Sequence, residues 1–293
     1  MKLSVILLTY NSQNTIMNCL NSLADNYNVE FKKKEYEVIV FDNNSPDTTL
    51  SEVKNFFQEN SHIKHQISQS SKNLGYAAGI NKAVEYTSGK YILILNPDTT
   101  VKNEGLARML DYIEEDEKVA IMGGRLVSEN KIVEKSAGND FNLLHVLSLS
   151  LGVDSLFKMR FAPDTIEDVN WVSGGCMLVR RKIFQDLNGF DERYFMYVED
   201  ADLCRRARDV DYKVVYFPEF EVTHEAHASG SREFAIANIY KGLRHYSRKF
   251  HGQLEQFLIQ FLLVAKAGLL IAISKIVRDN KLHDTYSKAL KEI

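Results

Sequence analysis

The chain has few of the residues and segments that staple, repeat or export a protein. It has three cysteines, Cys19, Cys176 and Cys204, scattered without a paired spacing. That pattern makes neither a disulfide framework nor a zinc motif, and it suits a reduced, cytosolic compartment. Net charge is only −3 over 293 residues, so the total implies no polyanion partner and no nucleic acid. No internal repeat or low-complexity tract interrupts the pattern. The first residues enter a strand directly, and Tyr10-Asn11 break the apolar run too early for a secretory core, so no leader is expected. Hydrophobic residues make up 45% of the chain, enough for a sizeable core in one large domain or one domain with an appendage. Charge is unevenly spread. Residues 241–293 carry ten Lys/Arg against four Asp/Glu, leaving −9 on the rest, which suggests an acidic catalytic body and a basic tail.

Three apolar runs read as strands buried on both faces: Leu3 to Leu8, Tyr36 to Phe41 and Tyr91 to Leu95. Helical spacing lies between them, over Asn14 to Leu23, Leu50 to Phe57 and Tyr76 to Tyr86. Strand alternating with helix predicts an α/β fold with a mostly parallel central sheet flanked by helices.

Short acidic and Asn-rich motifs close these strands: Thr9-Tyr10-Asn11, Asp42-Asn43-Asn44-Ser45 and Asn96-Pro97-Asp98. Ligands of open α/β sheets bind at the carboxyl ends of the strands, so the three motifs are expected to meet in one cleft. Asp42 is placed to accept from a ribose or base; a helix cap or Asx-turn explains it equally well. Asp98 suits a hard divalent cation that neutralises a diphosphate, against a Pro-Asp turn before a helix near Glu104. Asn73-Leu74-Gly75 through Gly79 and Asn81 form a small-residue loop opening a helix, where backbone N–H groups favour anions. The glycine spacing matches neither a Walker loop nor a dinucleotide fingerprint, and tight packing on the sheet is the competing reading.

Glu199-Asp200 stand near a helix start, where the dipole alone would favour carboxylates. With Tyr194, Phe195 and Tyr197 around them, partial desolvation would raise a pKa and make Asp200 a general base. His224 ends the strand-like run from Lys213 and is a candidate metal ligand or phosphate donor; His227 is a weak second.

In their order, with Trp171-Val172-Ser173-Gly174-Gly175 between the third and fourth, these motifs resemble the inverting GT-A enzymes of glycosyltransferase family 2, over roughly Leu3 to Ser231. The resemblance implies a catalytic domain at 1–231 and a helical appendage at 232–293. It assigns Thr9, Tyr10, Asn11, Asp42, Asn44, Asn73, Gly75, Gly79, Asn81, Asn96, Pro97 and Asp98 to the nucleotide-sugar donor. It assigns Asp98 and His224 to Mg²⁺ or Mn²⁺, Trp171, Gly174 and Gly175 to the acceptor, and Asp200 with Glu199 to base catalysis. The family's usual Asp-x-Asp reads Asn96-Pro97-Asp98, a form similar to the bacterial rhamnosyltransferase branch. The implied donor is dTDP-L-rhamnose, with a UDP-sugar open, and the acceptor a glycan or lipid-linked hydroxyl of a surface polysaccharide. A non-catalytic scaffold is the rival outside the enzymes, supported by Asn96 alone.

Phe257 to Val277 is largely apolar and, as a helix, about 32 Å long. Gln260, Ser274, Lys275 and Arg278 share one side of a helical wheel, with Lys266 off it. The pattern predicts a helix lying on the inner face of an anionic plasma membrane; a buried helix or homodimer contact competes. Leu143 to Phe161 fits no strand register and is expected to be a mobile acceptor loop.

Overall fold

The computed structural model describes residues 1–102, 105–152, 159–225 and 231–293; Glu104 and His227 lie outside them. The first half alternates as expected: β1 Leu3–Thr9, α1 Ile16–Asn26, α2 Asn28–Lys32, β2 Tyr36–Asp42, α3 Thr49–Glu59, β3 His65–Gln69, α4 Tyr76–Val84 and β4 Tyr91–Leu95. There follow β5 Thr99–Val101, α5 Gly105–Glu115, β6 Val119–Ser128, β7 Ala137–Gly138, α6 Leu143–Leu151, β8 Arg160–Phe161, β9 Glu167–Asp168 and β10 Trp171–Val172. The chain ends with β11 Cys176–Arg180, α7 Arg181–Asp186, α8 Glu199–Arg208, β12 Lys213–His224, α9 Arg232–Phe250, α10 Gln253–Val277 and α11 Asn280–Lys291.

The main sheet runs β3-β2-β1-β4-β11-β6-β12-β5, with β9 paired to β12. Every residue of β1, β2 and β4 is buried, because helices cover both faces and leave no polar side. Among the described residues six strands share one direction; β11, β5 and β9 oppose it. The reversal of β11 has a topological cause. After β6 the chain builds a small sheet, β10-β7-β8, and pairs β9 with β12 on the way. It reaches β11 at the carboxyl end of β4, where the Gly175 carbonyl accepts from Asn96 N–H at 3.1 Å, and must run back. Cys176 therefore pairs with Leu95. At the other edge His224 pairs with Thr99, so the end of β12 lies beside the Asn96-Pro97-Asp98 turn.

Leu143 to Leu151 is a helix, which corrects the loop expected there. The Asn142 side chain accepts from the His145 N–H at 3.0 Å and Gly152 closes the helix with φ +70°. Its apolar residues pack on α10 and α9, forming a third core of Val146, Tyr240, Leu243, Ile259, Leu263 and Tyr286. Residues 153–158 are not described, and Arg160–Phe161 is a strand. Helix α10 buries Ile259, Leu263, Ala267 and Ser274 and exposes Leu254, Phe257, Phe261, Leu269 and Ile276. Ser274 faces the protein and donates within the helix to Ile271, so it does not belong to a polar stripe with the exposed Lys275 and Arg278. By length and composition α10 is long and apolar enough to cross a membrane.

Candidate active site

The strand-end motifs form two neighbouring regions. In the first, Thr9 at the end of β1 lies beside Asp42 at the end of β2. Asp42 has no accessible surface. Its carboxylate accepts from Thr9 Oγ1 at 2.8 Å, Ser45 Oγ at 2.6 Å, Ser45 N–H at 2.9 Å and Gln69 Nε2 at 3.2 Å. Those four donors fill a carboxylate's capacity. A direct bond from Asp42 to a nucleoside therefore requires exchange of an internal one. Tyr10, Asn11 and Asn44 are the exposed members of the two motifs, and the last two sit at φ +54° and +68°, where short polar side chains are tolerated.

The loop of small residues is fixed from below. Asn43 donates to Asn73 Oδ1 and to the Gly75 carbonyl, both at 3.0 Å, and accepts from Leu74 N–H at 2.9 Å. Gly75 is at φ +84°, and a Cβ there would collide with the Phe195 carbonyl. Gly79 and Asn81, expected on the donor, both make close contacts within the protein. A Cβ on Gly79 would come within 2.6 Å of Leu8. Asn81 brackets Phe190, accepting from its N–H and donating to its carbonyl, each at 2.8 Å. Neither lines the cavity.

The second region is a cavity of about 580 Å³. Asn96, Asp98, Gly174, Gly175, Asp200 and His224 line one part of it, and Trp171 borders them. Pro97 shapes the turn without lining the cavity. Asp98 is almost fully buried, and its Oδ1 has no hydrogen-bond partner. His224 Nε2 stands 3.4 Å from that oxygen, while Nδ1 faces Glu134 Oε1 at 3.0 Å. Contact with Asp98 pushes the imidazole up to about 9, against its burial and with help from Glu134. A histidine oriented by an outer carboxylate and facing a buried, unsatisfied carboxylate oxygen suits a divalent cation. Among the described residues no group of three or more His, Cys, Asp and Glu could hold one; Asp98 and His224 are the two that face each other here.

The other half of the chemistry sits at the start of α8. Tyr197 and Val198 lead in at φ +70° and +74°, strained conformations for an aromatic and a β-branched residue. Glu199 and Asp200 follow, and both line the cavity. Glu199 is buried, with Oε2 unpartnered. Desolvation, followed by the Asp200 charge, drives its pKa well above the carboxylate range. Asp200 lines the cavity and accepts from the N–H groups of Gly174 at 3.1 Å and Ala201 at 2.8 Å. Desolvation raises its pKa too, opposed by those two donors and by Arg160. Burial thus raises both carboxyls, Glu199 with the added charge of Asp200 and Asp200 against two N–H donors. Gly174, expected on the acceptor, donates to Asp200, and its carbonyl accepts from Tyr76 OH at 2.7 Å. Trp171 is buried, stacked on Phe141 at 5.7 Å and bonded through Nε1 to the Asn139 carbonyl. Glu134, Arg160 and Tyr76 were not found from sequence. Glu134 and Arg160 lie in segments without periodic signal, and Tyr76 opens a stretch read only as a helix.

The chain belongs to glycosyl transferase family 2, whose family model matches residues 4–187. A model of the N-terminal domain of galactosyltransferase also matches residues 165–228. The chain is 29% identical over 244 residues to the rhamnosyltransferase WbbL of Escherichia coli (strain K12), a match covering 78% of this chain and 88% of that one. It is also 29% identical over 178 residues to the N-acetylglucosaminyl-diphospho-decaprenol L-rhamnosyltransferase of Mycobacterium tuberculosis, covering 54% of this chain and 58% of that one. Among solved structures it resembles a mannosyltransferase of Pyrobaculum calidifontis in complex with GDP-Man and Mn²⁺, at TM-score 0.62 and 16% identity, covering 99% and 74% of the two chains. S. aureus TarS 1–349 in complex with UDP-GlcNAc matches at TM-score 0.55 and 19% identity, covering 100% and 89%. These are GT-A folds, and the expected α/β architecture stands.

Proposed function

We propose that the protein is an inverting, metal-dependent rhamnosyltransferase that moves L-rhamnose from dTDP-L-rhamnose to a hydroxyl of a lipid-linked glycan in bacterial surface polysaccharide synthesis. The observation that carries this reading is the convergence of Asp200 with the Asp98–His224 pair in one cavity. Rhamnosyl transfer is favoured by the names of the two relatives.

In this reading Asp200 takes the proton of the acceptor hydroxyl as its oxygen forms the new bond to the anomeric carbon. The bond from that carbon to the diphosphate breaks, and its electron pair leaves with the nucleoside diphosphate. Attack opposite the leaving group inverts the centre. Asp98 and His224 would hold a divalent cation, with donor phosphate oxygens completing its shell; when bound it neutralises the charge that develops on the leaving diphosphate. Gly174 N–H keeps the base aimed, and Trp171 and Gly175 border the acceptor.

Thermal unfolding against nucleotide sugars, with Mn²⁺, Mg²⁺ or EDTA, tests donor and metal together. Donor at about one hundred times its Kd stabilises by about 2.7 kcal/mol. The expected result is a rise in Tm with dTDP-rhamnose that EDTA abolishes. Preference for a UDP-sugar would replace the donor and keep the mechanism. No shift with any nucleotide sugar would favour a non-catalytic scaffold.

The same reading places the enzyme in the cytoplasm, resting on the inner membrane face. Its support is the exposed apolar side of α10, with Phe257, Phe261 and Ile276, next to the exposed Lys275, Arg278 and Lys281. The double variant Phe257→Glu, Phe261→Glu should lose co-sedimentation with phosphatidylserine vesicles, while binding by wild type should weaken in salt. Wild-type protein that stays in the supernatant at low salt rejects the membrane contact.

A further inference from the structure

The cavity does not end at the catalytic residues. Beyond Asp200 it continues between the catalytic body and the C-terminal helices, where its walls change character. Val146 and Leu149 of α6, Ile236 and Ile239 of α9, and Leu263 of α10 line this second limb. These five are aliphatic and come from three different helices; His145, Ser150 and Tyr286 add polar groups to the lining. Arg160 stands near the junction, close enough to Asp200 to lower its pKa, and Lys266 lies farther along, donating to the Leu149 carbonyl at 2.6 Å. Tyr240 also lines the limb; it is almost fully buried, and its hydroxyl has no hydrogen-bond partner. Pockets for amphiphilic ligands are largely apolar with a few placed polar groups, and a buried hydroxyl without a partner costs stability unless something satisfies it.

We infer that this limb is the port for the lipid side of the acceptor, holding the first isoprenoid units of a polyprenyl diphosphate on aliphatic walls, with Arg160, Lys266 and Tyr240 facing its diphosphate. The inference rests on the transferase reading above and adds a ligand class and a location to it. Continuity is the main argument. The reacting hydroxyl must lie at Asp200, and the remainder of the acceptor must leave that point along the cavity. The five aliphatic side chains offer a sugar no hydroxyl partners. The outer side of α10 points the same way. The helix that supplies Leu263 to the limb exposes Phe257 and Phe261 on its surface, so a chain leaving a membrane meets one apolar helix from entry to cavity.

The probe is farnesyl diphosphate, compared with inorganic diphosphate and with farnesol, in titrations of full-length protein. Farnesyl diphosphate is expected to bind wild type at least tenfold more tightly than inorganic diphosphate. Ile239→Trp, which narrows the limb, should erase that difference and leave nucleotide-sugar binding unchanged; Leu149→Trp on the opposite wall is the second variant, so one poorly folding protein does not decide the matter. Tm in the absence of ligand reports whether each variant is folded. Equal binding of farnesyl and inorganic diphosphate by wild type overturns the lipid port, as does an undiminished difference in both folded variants. Farnesol binding as tightly as its diphosphate would remove Arg160, Lys266 and Tyr240 from the assignment. Failure of the transferase reading looks different: no nucleotide sugar binds, whatever the lipid probes do.

Discussion

Replacing Asp200 by Asn should lower kcat by about 10²–10⁴-fold, the span associated with loss of a positioned acid or base, with little change in donor binding. Asn has nearly the shape of Asp and can still accept from the Gly174 N–H, now 3.1 Å from Oδ2, so the turn into α8 should persist. Glu199 beside it is buried, and desolvation with the Asp200 charge pushes its pKa well above the carboxylate range, which disfavours its ionised form. The pH profile separates the two residues. A base works only when ionised, and desolvation places the Asp200 pKa above the ordinary carboxylate value. Wild-type kcat should therefore fall as pH drops through that raised value, and the residual rate of Asp200→Asn should lack this acidic limb. Transfer by Asp200→Asn at the wild-type rate, measured with saturating donor and acceptor, would sink the base assignment.

The carboxylate pair of the cavity was legible because its signal is local: two carboxylates opening a helix after a run of aromatics. The parallel half of the sheet was legible for a similar reason, since β1, β2 and β4 are buried on both faces and read as continuous apolar runs. Strand β3 escaped because His65-Gln66-Ile67-Ser68-Gln69 lies at a sheet edge and needs only one large apolar residue. The reversed direction of β11 is a property of the path the chain takes before it, which no window over Cys176–Arg180 contains. Motif residues mark a neighbourhood more reliably than a contact. Asp42, Gly79 and Asn81 fall near the expected place yet spend their bonds or their missing Cβ on the protein itself. Glu134 reaches His224 across 90 residues of sequence, a pairing that only the closed fold creates. Helix α6 was misread because its apolar residues do not follow its buried face: Leu144, Leu147 and Leu151 are exposed while His145 and Ser148 are buried beside Val146, so no amphipathic stripe marks it.

Replacing Lys249 by Met should destabilise the protein by about 3 kcal/mol, the lower end of the cost of breaking a buried ion pair. Lys249 Nζ, on α9, lies 2.7 and 2.9 Å from the two oxygens of Asp202 and 3.0 Å from Asp191 Oδ2. Asp202 belongs to α8 and has no accessible surface; with Lys249 gone its charge is left to Arg206 Nε at 2.6 Å and Tyr194 OH at 3.1 Å. That remaining pair is why the lower figure applies. Chemical denaturation with an unchanged m-value is the measurement, and Lys249→Arg should recover part of the loss. A loss below about 0.5 kcal/mol, the level of an ordinary surface substitution, would show that the contact carries no weight. The consequence for catalysis follows from position. Asp202 stands two residues after Asp200 on the same helix, so the bond from α9 fixes the helix that carries the base. Tyr246, one turn before Lys249 on α9, packs in the same core as β12, α8 and Trp171, and α9 also supplies Ile236 and Ile239 to the cavity. Variants at Lys249 should therefore lower kcat more than they raise the KM for donor, because the nucleotide motifs lie on the far strands while α9 bears on the base.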